Sequence, residues 1–217
     1  MVQIAETRLR ERRREILETA SLVFREKGFH GAGMRDIASA LGIAVGKLYY
    51  WFESKQALLA FCQEDCLTGL LRMAERVESR IDDPADRLWH LVVGHVRCLN
   101  ESTPGSLAHL EVESLEEPHR SRILRLRDRY ERRLRSAVSA GVRSGALRTV
   151  DAHVTALAIL GAANWSVKWY RPGGRLPLRR IAASFADQLI RGVLAAPEDF
   201  QTPTDDSVSA PETTDDT

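Results

Sequence analysis

The chain has 217 residues, of which 44% are hydrophobic and 28% charged, with a formal net charge of +1. These proportions suit one large domain, or a small domain joined to a medium one, with enough apolar residues for a packed core. No apolar run approaches the roughly 20 residues needed to cross a bilayer. The polar, Arg-rich start does not read as a signal peptide, so a cytoplasmic protein without a membrane partner is expected.

Helix signals dominate from the beginning. Ile16, Leu17, Ala20, Val23 and Phe24 recur at helical spacing and predict a first helix over about 6–27, stopped by Gly28. Its leading segment carries Arg8, Arg10, Arg12, Arg13 and Arg14, whereas the C-terminal tail carries Asp205, Asp206, Glu212, Asp215 and Asp216. A basic front and an acidic finish suit a chain whose front meets a polyanion. Short helices are predicted over about 34–41 and 45–51, and Ser54 reads as the N-cap of a longer helix to about 79. Asp82-Asp83-Pro84 opens a helix to about 100. Further helices are predicted over about 106–115, 118–144, 152–170 and 177–195, punctuated by Thr103-Pro104-Gly105, Gly145 and Pro172-Gly173-Gly174. Beyond Pro197 the chain is rich in Thr, Ser, Pro and Asp, and residues 197–217 are expected to form a disordered acidic tail. The fold class is all-α. An N-terminal three-helix helix-turn-helix domain with its basic arm takes residues 1–55, and an effector-binding and dimerisation bundle takes 56–196.

The segment from Met34 to Glu53 carries the clearest chemistry. Ile37, Ala38, Leu41, Ile43, Leu48 and Phe52 share one core face, Ala38 is small where two helices cross, and Gly42 suits a left-handed turn. Val45, Gly46, Lys47, Tyr49 and Tyr50 then project outward, as a recognition helix presents its surface to the major groove. Lys47 reaches a phosphate or a guanine edge, the tyrosines offer hydroxyl donors and flat rings, and Gly46 lets the backbone approach. Lys55, in the next helix's first turn, is expected to clamp a phosphate together with free backbone N–H groups. The alternative is a small helical subdomain with a solvated basic face.

The residues from about Arg14 to Leu59 resemble the DNA-binding domain of TetR/AcrR-family regulators. The matching pieces are Ile16-Leu17, Ala20 through Phe24, Gly28-Phe29, Arg35-Asp36-Ile37-Ala38, Gly42-Ile43, Gly46, Leu48-Tyr49-Tyr50, Phe52 and Ser54-Lys55. The resemblance implies an all-α homodimer bound to double-stranded operator DNA, and it adds Arg35 to the expected DNA-facing set. The chain departs from the family at Ala32, Gly33 and Ala44, where hydroxyl side chains are common, and at Val45, Lys47 and Trp51. Those departures leave the operator sequence open.

In the C-terminal portion, Trp165 and Trp169 stand one turn apart, with Asn164 and Lys168 beside them and Arg171 at the helix end. Two readings stand: aromatics of the core or dimer interface, or aromatics beside cationic groups that hold a large anionic amphiphile. The run Asn164-Trp165, Trp169-Tyr170-Arg171-Pro172 and Gly174 is similar to a helix of TetR-family repressors of fatty-acid, steroid-ring and phenylacetate degradation, which respond to acyl-coenzyme A thioesters. That similarity implies an acyl-CoA effector contacted by Asn164, Trp165, Trp169 and Arg171, with Arg97 from an otherwise apolar helix as a further candidate. Val154, Leu157, Ala158, Leu160 and Gly161 form one apolar face, and Ile181, Phe185, Leu189, Ile190 and Val193 another. Paired across a two-fold axis, they would make a four-helix interface.

An enzyme reading finds little support. His90 and His95 are five residues apart and do not share a helix face, and no phosphate-cradling loop or nucleophile motif occurs. Neither cofactor nor metal is expected. Cys62, Cys66 and Cys98 read as reduced packing residues, with oxidant sensing or metal binding as alternatives for the first two. The competing functions are a multidrug or efflux-type repressor sensing a lipophilic compound, an enzyme acting on acyl thioesters, and a DNA-organising protein with no effector.

Overall fold

A computed structural model describes residues 2–102 and 111–203, with side chains described from residue 11 onward except at 25, 101 and 102. Among the described residues there are eight α-helices, a π-turn at Cys98–Ser102 and a 3-10 turn at Val112–Ser114. One isolated antiparallel bridge joins Leu147 to Leu194. The described residues form two compact units, one of residues 2–69, 98–102, 111–130 and 164–170, the other of 70–97, 131–163 and 171–203.

In the first unit, the α1 span (Val2–Gly31) is interrupted at Gly28, the stop expected from the sequence. That glycine takes a left-handed φ of 69°, and one further turn follows. The break delivers Phe29 into the core, 5.6 Å from the Phe24 ring. Helix α2 (Met34–Ala40) begins at Gly33, which has no side chain to cap with. Asp36 does the work instead, accepting from the Gly33 N–H at 2.7 Å and pairing with Lys27 at 2.6 Å. The Lys27 hydrogen bond, then the Gly33 amide, hold the Asp36 carboxyl below its ordinary range. At Gly42, φ is 65°, and the Ile43 amide donates back to the Ala38 carbonyl at 3.0 Å. Helix α3 (Val45–Trp51) follows, and α4 (Lys55–Arg80) starts where Ser54 Oγ accepts from the Ala57 N–H at 3.0 Å, the expected cap. Ile16, Leu17, Ala20, Ile37, Ala38, Leu48, Phe52, Leu58 and Leu59 are all buried, so the helix-turn-helix closes over a continuous apolar core.

The same unit holds the start of α6 (His119–Ser144), with Ile123 and Tyr130 buried. Gln56, in α4's first turn, holds the segment that precedes α6, donating to Ser114 O at 2.7 Å and accepting from the Glu116 N–H at 3.2 Å. Of the helix expected over 106–115, residues 103–110 lie outside the described set, and 112–114 form the 3-10 turn.

In the second unit, α5 (Pro84–Arg97) packs against α8 (Leu178–Arg191). Asp83 Oδ1 caps α5, accepting from the Ala85 and Asp86 amides at 2.9 Å each. Helix α5 ends at Arg97 and passes into the π-turn, short of the expected residue 100. Trp89 is buried and its Nε1–H donates to Asp187 of α8 at 3.0 Å. Gly94 lies against Met73, where an added Cβ would stand 2.4 Å from the sulfur. Helix α7 (Ala152–Trp169) is capped by Asp151, whose Oδ1 accepts from Val154 N–H at 2.8 Å.

Order continues past Pro197, where disorder was expected. Arg191 donates to the carbonyls of Pro197 and Phe200, the latter at 3.1 Å, and Thr202 donates to Asp187 at 3.1 Å. Polar groups of α8 hold this segment, which hydropathy alone does not register. Residues 204–217 lie outside the described set.

Candidate nucleic-acid interface and effector site

Leu48 sets the orientation of α3. It is 0% exposed, while Lys47 and Gly46 are exposed and Tyr50 is 85% exposed. A seven-residue helix with one side chain locked in the core has its other faces fixed by helical rotation. Gly46, Lys47, Tyr49 and Tyr50 therefore form one outward surface, Val45 is half-buried at its edge, and the exposed Arg35 comes from α2. Neither Arg35 nor Lys47 pairs with a carboxylate among the described residues, so both cations are available to an anion. A Cβ added at Gly46 would meet nothing within 4 Å, so the fold does not require glycine there. The surface combines cations with exposed aromatic rings, the chemistry that phosphates and base edges take.

Lys55 sits differently from the phosphate clamp expected of it. Its ammonium donates to Phe29 O at 2.8 Å and Ala32 O at 3.0 Å, and lies 4.3 Å from the Phe29 ring centre. It thus satisfies the carbonyls that α1's break leaves over, and keeps one of its three N–H bonds for anything else. In the arm, Arg12 pairs with Glu15, and Arg14 pairs with Glu18 at 3.0 Å. The side chains of Arg8 and Arg10 lie outside the described set.

Of the expected effector contacts, Asn164, Trp165 and Trp169 belong to the first unit, and Arg97 and Arg171 to the second. Trp165 is 62% exposed and Trp169 44% exposed. They continue the outward stripe of α7 formed by the exposed Val154, Leu157, Ala158 and Gly161, while Ala156, Ile159, Ala163 and Val167 face the core. The two tryptophans are therefore surface aromatics of this chain. Asn164 and Arg97 are half-buried and Arg171 is exposed.

The first unit also has polar groups inside it that sequence reasoning passed over. Ser166 is buried and receives a hydrogen bond from Asn100 Nδ2 at 2.8 Å. Gln63 is fully buried on the inner face of α4. The signal for Gln63 was there to find, since it breaks an apolar stripe that includes Leu59, Leu67 and Leu70. All three cysteines are buried and reduced. Burial, opposed in part by a hydrogen bond from Ser21, pushes the Cys62 thiol up to about 12, and burial pushes Cys66 well up too. Thiols held neutral in this way are poor nucleophiles and poor metal ligands. Among the described residues no three potential ligands cluster as a metal site, and no helix is long and apolar enough to cross a membrane.

Residues 16–61 match the family model for bacterial regulatory proteins of the tetR family, and residues 81–193 match the tetracyclin repressor-like C-terminal domain. The chain is 30% identical over 194 residues to the HTH-type transcriptional repressor KstR2 of Rhodococcus jostii, covering 86% of this chain and 92% of that one. The ketosteroid transcriptional regulator KstR2 of Mycobacterium tuberculosis has a similar structure, with a TM-score of 0.78 and 25% identity over 84% of this chain and 95% of that one. AibR in complex with isovaleryl coenzyme A and operator DNA gives a TM-score of 0.71 and 28% identity, over 85% of this chain and 98% of that one. The likeness spans both the helix-turn-helix and the helical C-terminal portion, so the chain belongs to the tetR family of bacterial regulatory proteins and is a ligand-responsive, DNA-binding transcriptional repressor, not an enzyme.

Proposed function

We propose that the protein is a cytoplasmic homodimer that represses transcription by occupying an operator and leaves it when an acyl-coenzyme A thioester binds. The observation that carries this reading is the similarity, over nearly the whole chain, to KstR2 repressors and to AibR, which was crystallised with isovaleryl coenzyme A and operator DNA. In this reading Arg35, Val45, Gly46, Lys47, Tyr49 and Tyr50 meet the DNA, and Lys55 supports them from behind while offering one remaining N–H to a phosphate. Arg97, Asn164 and Arg171 remain candidates for the effector's polar parts. Trp165 and Trp169, first grouped with them, fit better at the seam between two copies, where Val154 and Leu157 would join them.

The mechanism is linkage between two sites. The ligand-free dimer holds two recognition helices about one DNA turn apart, roughly 34–36 Å. An effector that prefers another spacing weakens operator binding by its differential affinity, on the order of 1–3 kcal/mol. Operator DNA must then weaken effector binding by the same factor. No cofactor takes part.

The test is the shift in thermal unfolding against acyl-, aryl- and steroid-derived CoA thioesters, with free CoA and the free acids as controls. Stabilisation by a thioester and not by its parts supports the reading. Stabilisation by lipophilic cations and by no thioester would replace it with a multidrug-type repressor. Turnover of the thioester would restore the enzyme alternative.

A further inference from the structure

Gln63 occupies a position where α4 otherwise buries hydrocarbon. Leu59 lies one turn before it, Leu67 one turn after, and both are buried. Gln63 itself is 0% exposed, and neither its Nε2 nor its Oε1 reaches a hydrogen-bond partner among the described residues. A primary amide shut away from water without a partner carries a desolvation cost that methionine or leucine would not. Buried polar groups in folded proteins are nearly always satisfied, so a whole amide left over points to a partner that comes from outside the chain.

Its surroundings in the first unit are polar and polarisable. Cys66 is one turn along the same face and buried. Its thiol is pushed up by burial and by Cys98, with the Arg127 guanidinium pulling the other way. The buried Tyr130 phenol is likewise pushed up by burial, then by Cys98 and Cys66. Asn100 and Ser166 add a hydrogen-bonded pair to the interior of the same unit. Helix α6 thus places a cation and a phenol within electrostatic reach of Cys66, one turn from the unmet amide on α4.

We propose that Gln63 is an effector-recognition residue, its Nε2–H donating to a ligand carbonyl oxygen and its Oε1 accepting from a ligand amide N–H. One planar head with an unmet donor and an unmet acceptor is complementary to a secondary amide. The pantetheine arm of an acyl-CoA thioester carries two such amides as well as the thioester carbonyl, whereas a lipophilic cation or a hydrocarbon chain offers no matching pair. The assignment rests on the acyl-thioester reading above and names the residue that reads the arm.

The experiment uses the full chain as wild type, Gln63→Met and Gln63→Leu. It reads three quantities: the ligand-free Tm, the affinity for promoter DNA, and the concentration of each of a set of short, branched, long-chain and ring acyl-CoA thioesters that releases half the DNA. Both variants are expected to melt at or above the wild-type temperature and to bind promoter DNA unchanged. They should require on the order of tenfold to a hundredfold more thioester for half-release, as expected for losing two buried hydrogen bonds. A lower Tm in both variants would mean that the amide is satisfied within the folded chain or by bound water, and would overturn the proposal. An unchanged thioester dose response would overturn it too, while leaving the acyl-CoA reading intact. Failure of every thioester to release the wild type would defeat that reading first and the pairing with it.

Discussion

Replacing Lys47 with alanine should change how operator binding depends on salt more clearly than it changes the protein itself. Lys47 is exposed on α3 beside the buried Leu48 and has no ion pair among the described residues, so its loss leaves the fold intact. A homodimer presents two copies. Each phosphate contact contributes about 0.9 to the slope of log K against log salt, so Lys47→Ala should flatten that slope by about 1.8. Between 50 and 200 mM salt, a fourfold range, that corresponds to a wild-type affinity loss about tenfold greater than the variant's. Fluorescence anisotropy on a promoter fragment at four or five salt concentrations measures the slope, and circular dichroism confirms the helix content. An unchanged slope with unchanged affinity would remove Lys47 from the interface. An unchanged slope with affinity lost on particular sequences only would make Lys47 a base-reading group in place of a phosphate contact.

Lys55→Met should destabilise the helix-turn-helix by about 1.5–3 kcal/mol, because its ammonium serves the Phe29 and Ala32 carbonyls. The checks are a Tm several degrees lower and weaker promoter binding that returns on cooling, and a wild-type Tm would refute the internal role. Trp165→Glu should convert the dimer into a monomer on light scattering with the helix content retained. Two half-exposed rings buried at about 25 cal/mol per Å² contribute several kcal/mol to association. A dimer that survives would place the seam elsewhere. Truncation after Pro197 should lower Tm by a few degrees, since Arg191 and Asp187 lose Phe200 and Thr202, and a Tm equal to that of the full chain would refute this. Asp36 stabilises α2 only while ionised and its carboxyl is held low, so its contribution is present above the ordinary aspartate range and lost as pH falls below it. Asp36→Asn should therefore flatten the acid limb of the Tm–pH curve.

The helix-turn-helix was legible because its signals are local. Gly42 needs a left-handed turn, Leu48 and Phe52 need a core, and Val45–Trp51 is bounded by Ala44 and by the extended Phe52, so the helix fell where the spacing placed it. The stop at Gly28 was legible in the same way, whereas the further turn beyond it, which carries Phe29 into the core, depends on tertiary packing. Asp36 as the capping group and Lys55 as an internal pin depend on pairings 3 and 26 residues apart, which periodicity cannot rank. For Trp165 and Trp169 the spacing gave the shared face correctly but not its direction, because an apolar stripe reads the same whether it meets the chain's own core or a second copy. Order at residues 198–203 escaped for the opposite reason: that segment is held by Arg191 and Asp187, not by hydrocarbon.

In the proposed function, one small molecule and one DNA site compete through the same dimer. The direct measurement is anisotropy of a labelled fragment of the gene's own promoter, titrated with protein in the presence of each acyl-CoA thioester, free CoA and each free acid. Tight binding is expected, weakened by one thioester by roughly 5–150-fold while its parts do nothing, with the same factor in thioester affinity when operator is added. Tight DNA binding indifferent to every thioester, or a thioester that binds equally well with and without operator, would contradict it.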